Sequence, residues 1–184
     1  MKLVYGFGLN DANYKVTHSV DGKRKMCEFY RKWTNMLKRC YSEKYKKGLN
    51  AYDNVMVCDD WLTFSNFKSW METQDWVGKD LDKDLLSGES KIYSPETCLF
   101  IDHSLNIFIS ERSIQSDLPY GVCKHGKRYQ SGIRIDGKRK YLGLFDSIDE
   151  ANQAWLTERR RLVELIVSQQ TDNRIKEALI NYEK

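Results

Sequence analysis

Apolar residues recur with a helical period in several stretches of the chain and alternate with polar ones in others. In "CEFYRKWTNMLKRCYSEKY", Phe29, Trp33, Met36, Leu37 and Cys40 fall at i, i+4, i+7, i+8 and i+11. That spacing predicts a helix with one buried stripe, leaving Arg31, Lys32, Lys38 and Arg39 mostly outward. The glycine and asparagines of "GLNAYDN" close it. "VMVCDDW" reads as a short strand or connector. "TFSNFKSWMETQDW" predicts a second helix, capped by Thr63 or Ser65 and burying Phe64, Phe67 and Trp70/Met71. Near the end, "DSIDEANQAWLTERRRLVELIVS" is amphipathic. Asp146 or Ser147 would cap it, Glu150 could close a capping box, and Ala151, Ala154, Trp155 and Leu162 form its buried side. "TDNRIKEALINYEK" predicts one more short helix.

Extended runs occupy the rest. Leu81 to Leu86 reads as a short strand before a turn at Ser87-Gly88. A second run, Thr97 to Ile101, leads to Asp102, the expected N-cap of a helix carrying Leu105, Asn106 and Phe108. The order is therefore strand, loop, strand, helix. Polar "SERSIQSDLP" marks a linker ending at Pro119. Three strands follow, "GVCKH", "YQSGIRID" and "KRKYLGLF", joined by turns at His125-Gly126-Lys127 and Asp136-Gly137. No internal repeat or low-complexity segment is expected.

Composition narrows the class. Hydrophobic residues are 41% and aromatics 12% of 184 residues, which is enough for a packed core and excludes wholesale disorder. The apolar runs are too short to span a bilayer and the start has no signal-peptide core, so a cytoplasmic protein without a membrane partner is expected. Five cysteines in that context point to free thiols. Cys27, Cys40, Cys58 and Cys98 form no close Cys-x-x-Cys pair, which argues against a structural zinc.

The net charge of +4 is unevenly spread. Residues 1–60 hold 12 Lys/Arg against 7 Asp/Glu, residues 61–96 hold 4 against 7, and residues 97–143 hold 8 against 4. Two basic segments could grip phosphates around an acidic middle able to hold a cation.

"YGVCKHGKRYQSGIRIDGKRKYLGLFDSIDEANQAW" resembles the Apetala/ethylene-response-factor DNA-binding domain. The likeness rests on Gly121-Val122, Ile133, Tyr141-Leu142-Gly143-x-Phe145-Asp146, Glu150-Ala151 and Ala154-Trp155. Upstream, "FYRKWTNMLKRCY", "CDDWLTFSNFKSWM", "LDKDLLSGESKIYSPETCLF" and Asn106 are similar to phage-borne homing endonucleases of the HNH type. The resemblance implies an α+β protein. Residues 1–112 would form an HNH-like nuclease domain of helices and a ββα metal motif, and 113–118 a linker. Residues 119–184 would form a three-stranded antiparallel sheet packed on a helix, followed by the C-terminal helix. It also implies double-stranded DNA as partner, a divalent cation, Mg or Mn, as cofactor, and a phage protein working in the bacterial host cytoplasm, expected as a monomer.

Phosphodiester hydrolysis of this type needs a cation on the scissile phosphate, a base for water, and a scaffold holding both. Carried over residue by residue, Asp82 takes the first metal-ligand position and Asn106 the second, on the helix. Lys83 stands where the family has its histidine base, and Thr97 where it has a loop asparagine. An unperturbed lysine titrates near ~10.4, and Asp82 and Asp84 on either side favour its charged form. Lys83 then suits stabilising the phosphate's charge better than accepting a proton. His103 could serve as ligand or base, or be an exposed helix histidine.

In the C-terminal module, Lys124, Arg128, Arg134 and two of Lys138, Arg139 and Lys140 could share one sheet face with Tyr129 or Tyr141. Lys127 joins them from the turn. Arg134 is the candidate for base contact, and Lys138, Arg139 and Lys140 for backbone phosphates. Two alternatives remain open on these residues. One is a DNA-binding regulator or occluding factor of the same lineage with a decayed nuclease site. The other is a protein-binding module used in phage–host conflict.

Overall fold

The computed structural model describes residues 3–47, 54–88, 90–110, 117–135 and 137–182. The protein is of mixed α+β type and divides into two compact units, Met1–Asp102 and His103–Lys184. The expected linker, 113–118, and the turn residue Asp136 fall largely or wholly outside the described residues.

The first unit opens with a hairpin, β1 (Thr17–Val20) and β2 (Lys23–Met26), followed by α1 (Glu28–Tyr41) and a single helical turn, α2 (Glu43–Lys46). A two-residue strand β3 (Met56–Val57), a 3-10 turn at Asp59–Leu62 and α3 (Phe64–Glu72) come next. Then follow β4 (Asp80–Asp82), α4 (Asp84–Ser87), β5 (Ile92–Tyr93) and β6 (Leu99–Ile101).

The stripe read from the sequence is the buried face of α1: Trp33, Met36, Leu37 and Cys40 are all at most 1% exposed. It packs on α3 through a cluster of rings, with Trp33 and Phe64 5.4 Å apart between centroids. The Trp33 indole N–H donates to the Trp61 carbonyl at 2.7 Å, so this buried ring leaves no donor unpaired, an omission worth about 1–3 kcal/mol.

Several local expectations change. Neither Thr63 nor Ser65 caps α3 through its own side chain. The helix start is held instead by Asp11, which accepts from the Ser65 backbone N–H at 2.9 Å and from its hydroxyl at 2.5 Å. The extended run from Leu81 stops at Asp82. The Asp82 carboxylate accepts from the Leu85 N–H at 2.8 Å, and this local bond turns Asp84–Ser87 into a helical turn. Thr97 and Cys98 lie in the preceding turn, so β6 begins at Leu99. The hairpin β1–β2 and the parallel pairing of β3 with β5 have no counterpart among the expected elements.

The second unit holds α5 (His103–Ile109), then β7 (Val122–His125), β8 (Arg128–Ile135) and β9 (Lys138–Phe145) as one antiparallel sheet in that order. Helix α6 (Ile148–Gln169) packs across the sheet, and α7 (Asn173–Tyr182) follows. Ser147 and Glu150 close the expected capping box. Ala151, Trp155 and Leu162 are buried as expected, with Ile133 facing them from the sheet, and Ala154 is half-buried.

Candidate nucleic-acid interface and metal-site residues

Gly121 sets how closely helix and sheet approach. Its φ is +80°, and a Cβ there would lie 2.1 Å from Trp155 Cδ1. Only glycine combines the left-handed backbone with that contact. The indole closes a cluster with Ile133 and Leu162, joined by Phe108, Ile135 and Leu142. The guanidinium of buried Arg159 lies 5.0 Å from the Phe108 ring and 5.2 Å from Trp155, a cationic seam that the sequence pattern did not reveal.

The register decides which cations share a face, because directly paired residues lie on the same side and neighbours alternate. Ile133 and Ile135 face α6, so Arg134 faces away. Arg139 pairs with Arg134 and joins it on the open side. Tyr141, two residues further, is 59% exposed. Lys138 and Lys140 pair with Ile135 and Ile133, on the helix side. Lys140 Nζ accordingly sits 3.0 Å from Glu158 Oε1 on α6. Hydrogen bonds from Arg161 and Lys140 hold the Glu158 carboxyl down at about 2.

Lys124 pairs with Tyr129 and so also lies on the helix side, while Lys127 is exposed in the β7–β8 turn. Arg128 keeps the parity of Arg134 but is engaged: its Nε lies 2.7 Å from Asp146 Oδ1 and its Nη2 donates to the Leu144 carbonyl. Of the anticipated cluster, the structure therefore brings Arg128, Arg134, Arg139 and Tyr141 onto one face.

Gly132 was missed in the sequence, although a glycine inside a strand signals close approach. A Cβ there would lie 2.8 Å from Arg139 Nε. The Arg139 guanidinium lies down over this gap and donates to Cys123 Sγ at 3.4 Å. The result is a face on which Arg139 lies over Gly132 beside exposed Arg134 and Tyr141.

In the first unit, β4 pairs antiparallel with β6, setting Asp82 opposite Leu99. Asp82 and Lys83 are each 7% exposed. Burial pushes the Asp82 carboxyl up, against the pull of the Leu85 N–H. The Lys83 ammonium is bonded to Asp84 and to the Ser90 carbonyl, and lies 5.9 Å from the Tyr93 ring. The Thr97 hydroxyl is spent on its own turn, donating to the Ile92 carbonyl at 2.6 Å and accepting from the Ser94 N–H at 3.0 Å.

His103 and Asn106 sit on α5, in the second unit: His103 is exposed and Asn106 half-buried. Beside β4, Arg31, Lys32, Asn35 and Arg39 of α1 line a cleft of about 70 Å³ with Asp80. Burial pushes the Lys32 ammonium down, partly offset by Asp80.

The thiols of Cys40 and Cys98 lie in the apolar core, where burial pushes each up to about 12. Among the described residues, no three or more of His, Cys, Asp and Glu gather as a metal cluster. No helix among them is long and apolar enough to cross a membrane. The chain matches no known protein-family model, no curated protein and no solved structure.

Proposed function

We propose that this protein binds double-stranded DNA through the open face of β7–β9 and acts as an HNH-type endonuclease of phage origin that nicks or cuts the bound duplex. The observation that carries the reading is the face shared by Arg134, Arg139 and Tyr141, with Gly132 beneath Arg139. A guanidinium presents a planar fork of donors that matches the acceptor edge of guanine in the major groove. Arg134 has no hydrogen bond or ion pair within the described residues, so its fork is available to a base. Lys127, exposed in the β7–β8 turn, is placed to reach backbone phosphate, whereas Lys124, Lys138 and Lys140 lie on the α6 side of the sheet.

Cleavage on this reading uses Asp82 as a hard oxygen donor for a magnesium or manganese ion, which would supply Lewis-acid stabilisation of the scissile phosphate. The fit is chemical: an ion there would compensate the burial that now disfavours the Asp82 carboxylate. Lys83 adds positive charge near the phosphate, and Arg31, Lys32 and Arg39 of α1 add further positive charge beside β4.

One observation favours a second reading. Lys83 stands at the histidine position and is tied to Asp84, while one Asp82 oxygen is occupied by the Leu85 N–H. A DNA-binding regulator or occluding factor with a decayed nuclease site would look the same.

Supercoiled plasmid incubated with magnesium or manganese separates the two. Cleavage by the wild type that is lost in Asp82→Ala supports the nuclease. Salt-sensitive binding without cleavage in either metal supports the decayed form. Absence of binding even at low salt overturns both.

A further inference from the structure

The pentapeptide Asp-Gly-Lys-Arg-Lys occurs twice, at 21–25 and at 136–140, which corrects the expectation of a chain without internal repeats. The first copy forms the turn and return strand of the β1–β2 hairpin, Lys138–Lys140 of the second begin β9, and the registers coincide. Val20 pairs with Lys23, Ser19 with Arg24 and His18 with Lys25. Ile135 pairs with Lys138, Arg134 with Arg139 and Ile133 with Lys140. In the first copy, Asp21 and Gly22 have φ of +52° and +72°, the two-residue turn that suits the twist of paired strands.

The copies differ in what surrounds the cations. In the C-terminal hairpin, Lys140 is held by Glu158 and Arg139 contacts Cys123. In the N-terminal hairpin every residue of β2 is exposed, and Lys23, Arg24 and Lys25 make no ion pair or side-chain hydrogen bond within the described residues. The base of this hairpin is closed by the Cys27 N–H donating to the Val16 carbonyl at 2.8 Å, immediately before α1. The strand that carries these three unpaired cations is exposed along its whole length and contributes no core residue. Their chemistry fits an array of phosphates, which would neutralise all three at once.

We infer that the β1–β2 hairpin is a second DNA-contacting element, in which Lys23, Arg24 and Lys25 grip the duplex backbone without reading its sequence. The inference rests on the DNA-binding reading above. It gives the first unit its own hold on the polymer, and tethering two such elements in one chain raises the affinity beyond either alone. The hairpin is the sequence-independent partner of the open sheet face, where the matching Lys-Arg-Lys run pairs with a strand that packs on α6.

The test uses the full chain and a labelled mixed-sequence duplex of about 30 base pairs, with affinity measured against salt concentration. Replacing Lys23, Arg24 and Lys25 by alanine is expected to weaken binding about tenfold or more near 0.1 M salt. It should also make the log–log salt slope shallower by about 2–3, since each lost phosphate contact removes ~0.9. A Lys23→Arg/Lys25→Arg variant should keep the wild-type slope, and thermal unfolding should be unchanged in both. A second triple variant with glutamine at 23, 24 and 25 guards against any misfolding of the alanine one.

Removal of three exposed cations elsewhere, Lys44, Lys47 and Arg160, is the control. Equal loss in that control would reduce the effect to net charge and overturn the proposal. An unchanged slope in both triple variants, with the wild type binding and Arg134→Ala/Arg139→Ala weakened, would overturn the hairpin but leave the sheet reading standing. A wild type that does not bind at low salt would overturn both.

Discussion

Arg134 and Arg139 face each other across the β8–β9 ladder on the side away from α6. Two like charges directly opposite on paired strands destabilise the sheet, by about 0.2–1 kcal/mol on the scale of cross-strand pairs. Arg134 is exposed and loses no internal partner when truncated. Arg134→Ala should therefore leave unfolding stability unchanged or raise it by a few tenths of a kcal/mol. Its effect on DNA should be opposite and larger. A bidentate arginine–guanine contact discriminates by about 1–3 kcal/mol, or roughly 5–150-fold in affinity.

The assay selects bound duplexes from a randomised pool and sequences them, for wild type and variant, alongside urea unfolding of each. The expected result is a relaxed preference at one base position with stability intact. Equal weakening on every sequence would show that Arg134 touches only phosphate. A stability loss above about 1 kcal/mol would show that it is structural, and either result refutes the reasoning.

Two further outcomes follow from named contacts. Gly121→Ala places a Cβ on Trp155 Cδ1 and forces a side chain into φ +80°. The left-handed backbone costs about 1–2 kcal/mol and overpacking about 1–3, so the second unit should lose several degrees of Tm together with DNA binding. Asp82 titrates upward in the fold because of burial. Below its unfolded value of 3.8 both states hold the proton and the group is neutral to stability; as pH rises past its raised folded value the buried charge penalises the fold. Asp82→Asn should thus melt higher than wild type at pH 7–8 and equally at pH 3. Added magnesium should close that gap by stabilising only the wild type, and a variant that melts lower at neutral pH would contradict the assignment.

Much of the scaffold was legible because its signals are local. The α1 stripe, the capping box at Ser147 and Glu150, and the three C-terminal strands each follow from periodicity or turn chemistry within one segment. What escaped depends on distant partners. The cap of α3 comes from Asp11, 54 residues away. The short hairpin β1–β2 carries the same Asp-Gly dipeptide that the sequence has between β8 and β9, but its flanks lack the apolar alternation that marks a half-buried strand.

The candidate site divides in the same way. Strand alternation reveals that Arg134 and its neighbours fall on opposite faces, yet the packing of α6 decides which face stays open, and register shifts between Ser131 and Gly132. Lys138 and Lys140 consequently lie on the helix side, while Arg139 joins Arg134. At Asp82 the residue types were legible, whereas the bond from Leu85 arises only once the chain turns.

The most direct measurement is an NMR titration of the isotope-labelled chain with duplex DNA at low salt. The account predicts that resonances of Arg134, Arg139, Tyr141 and Gly132 shift first and most, with those of buried Trp155 and Leu162 nearly still. Shifts confined to α6 or α7, or none at all, would contradict it.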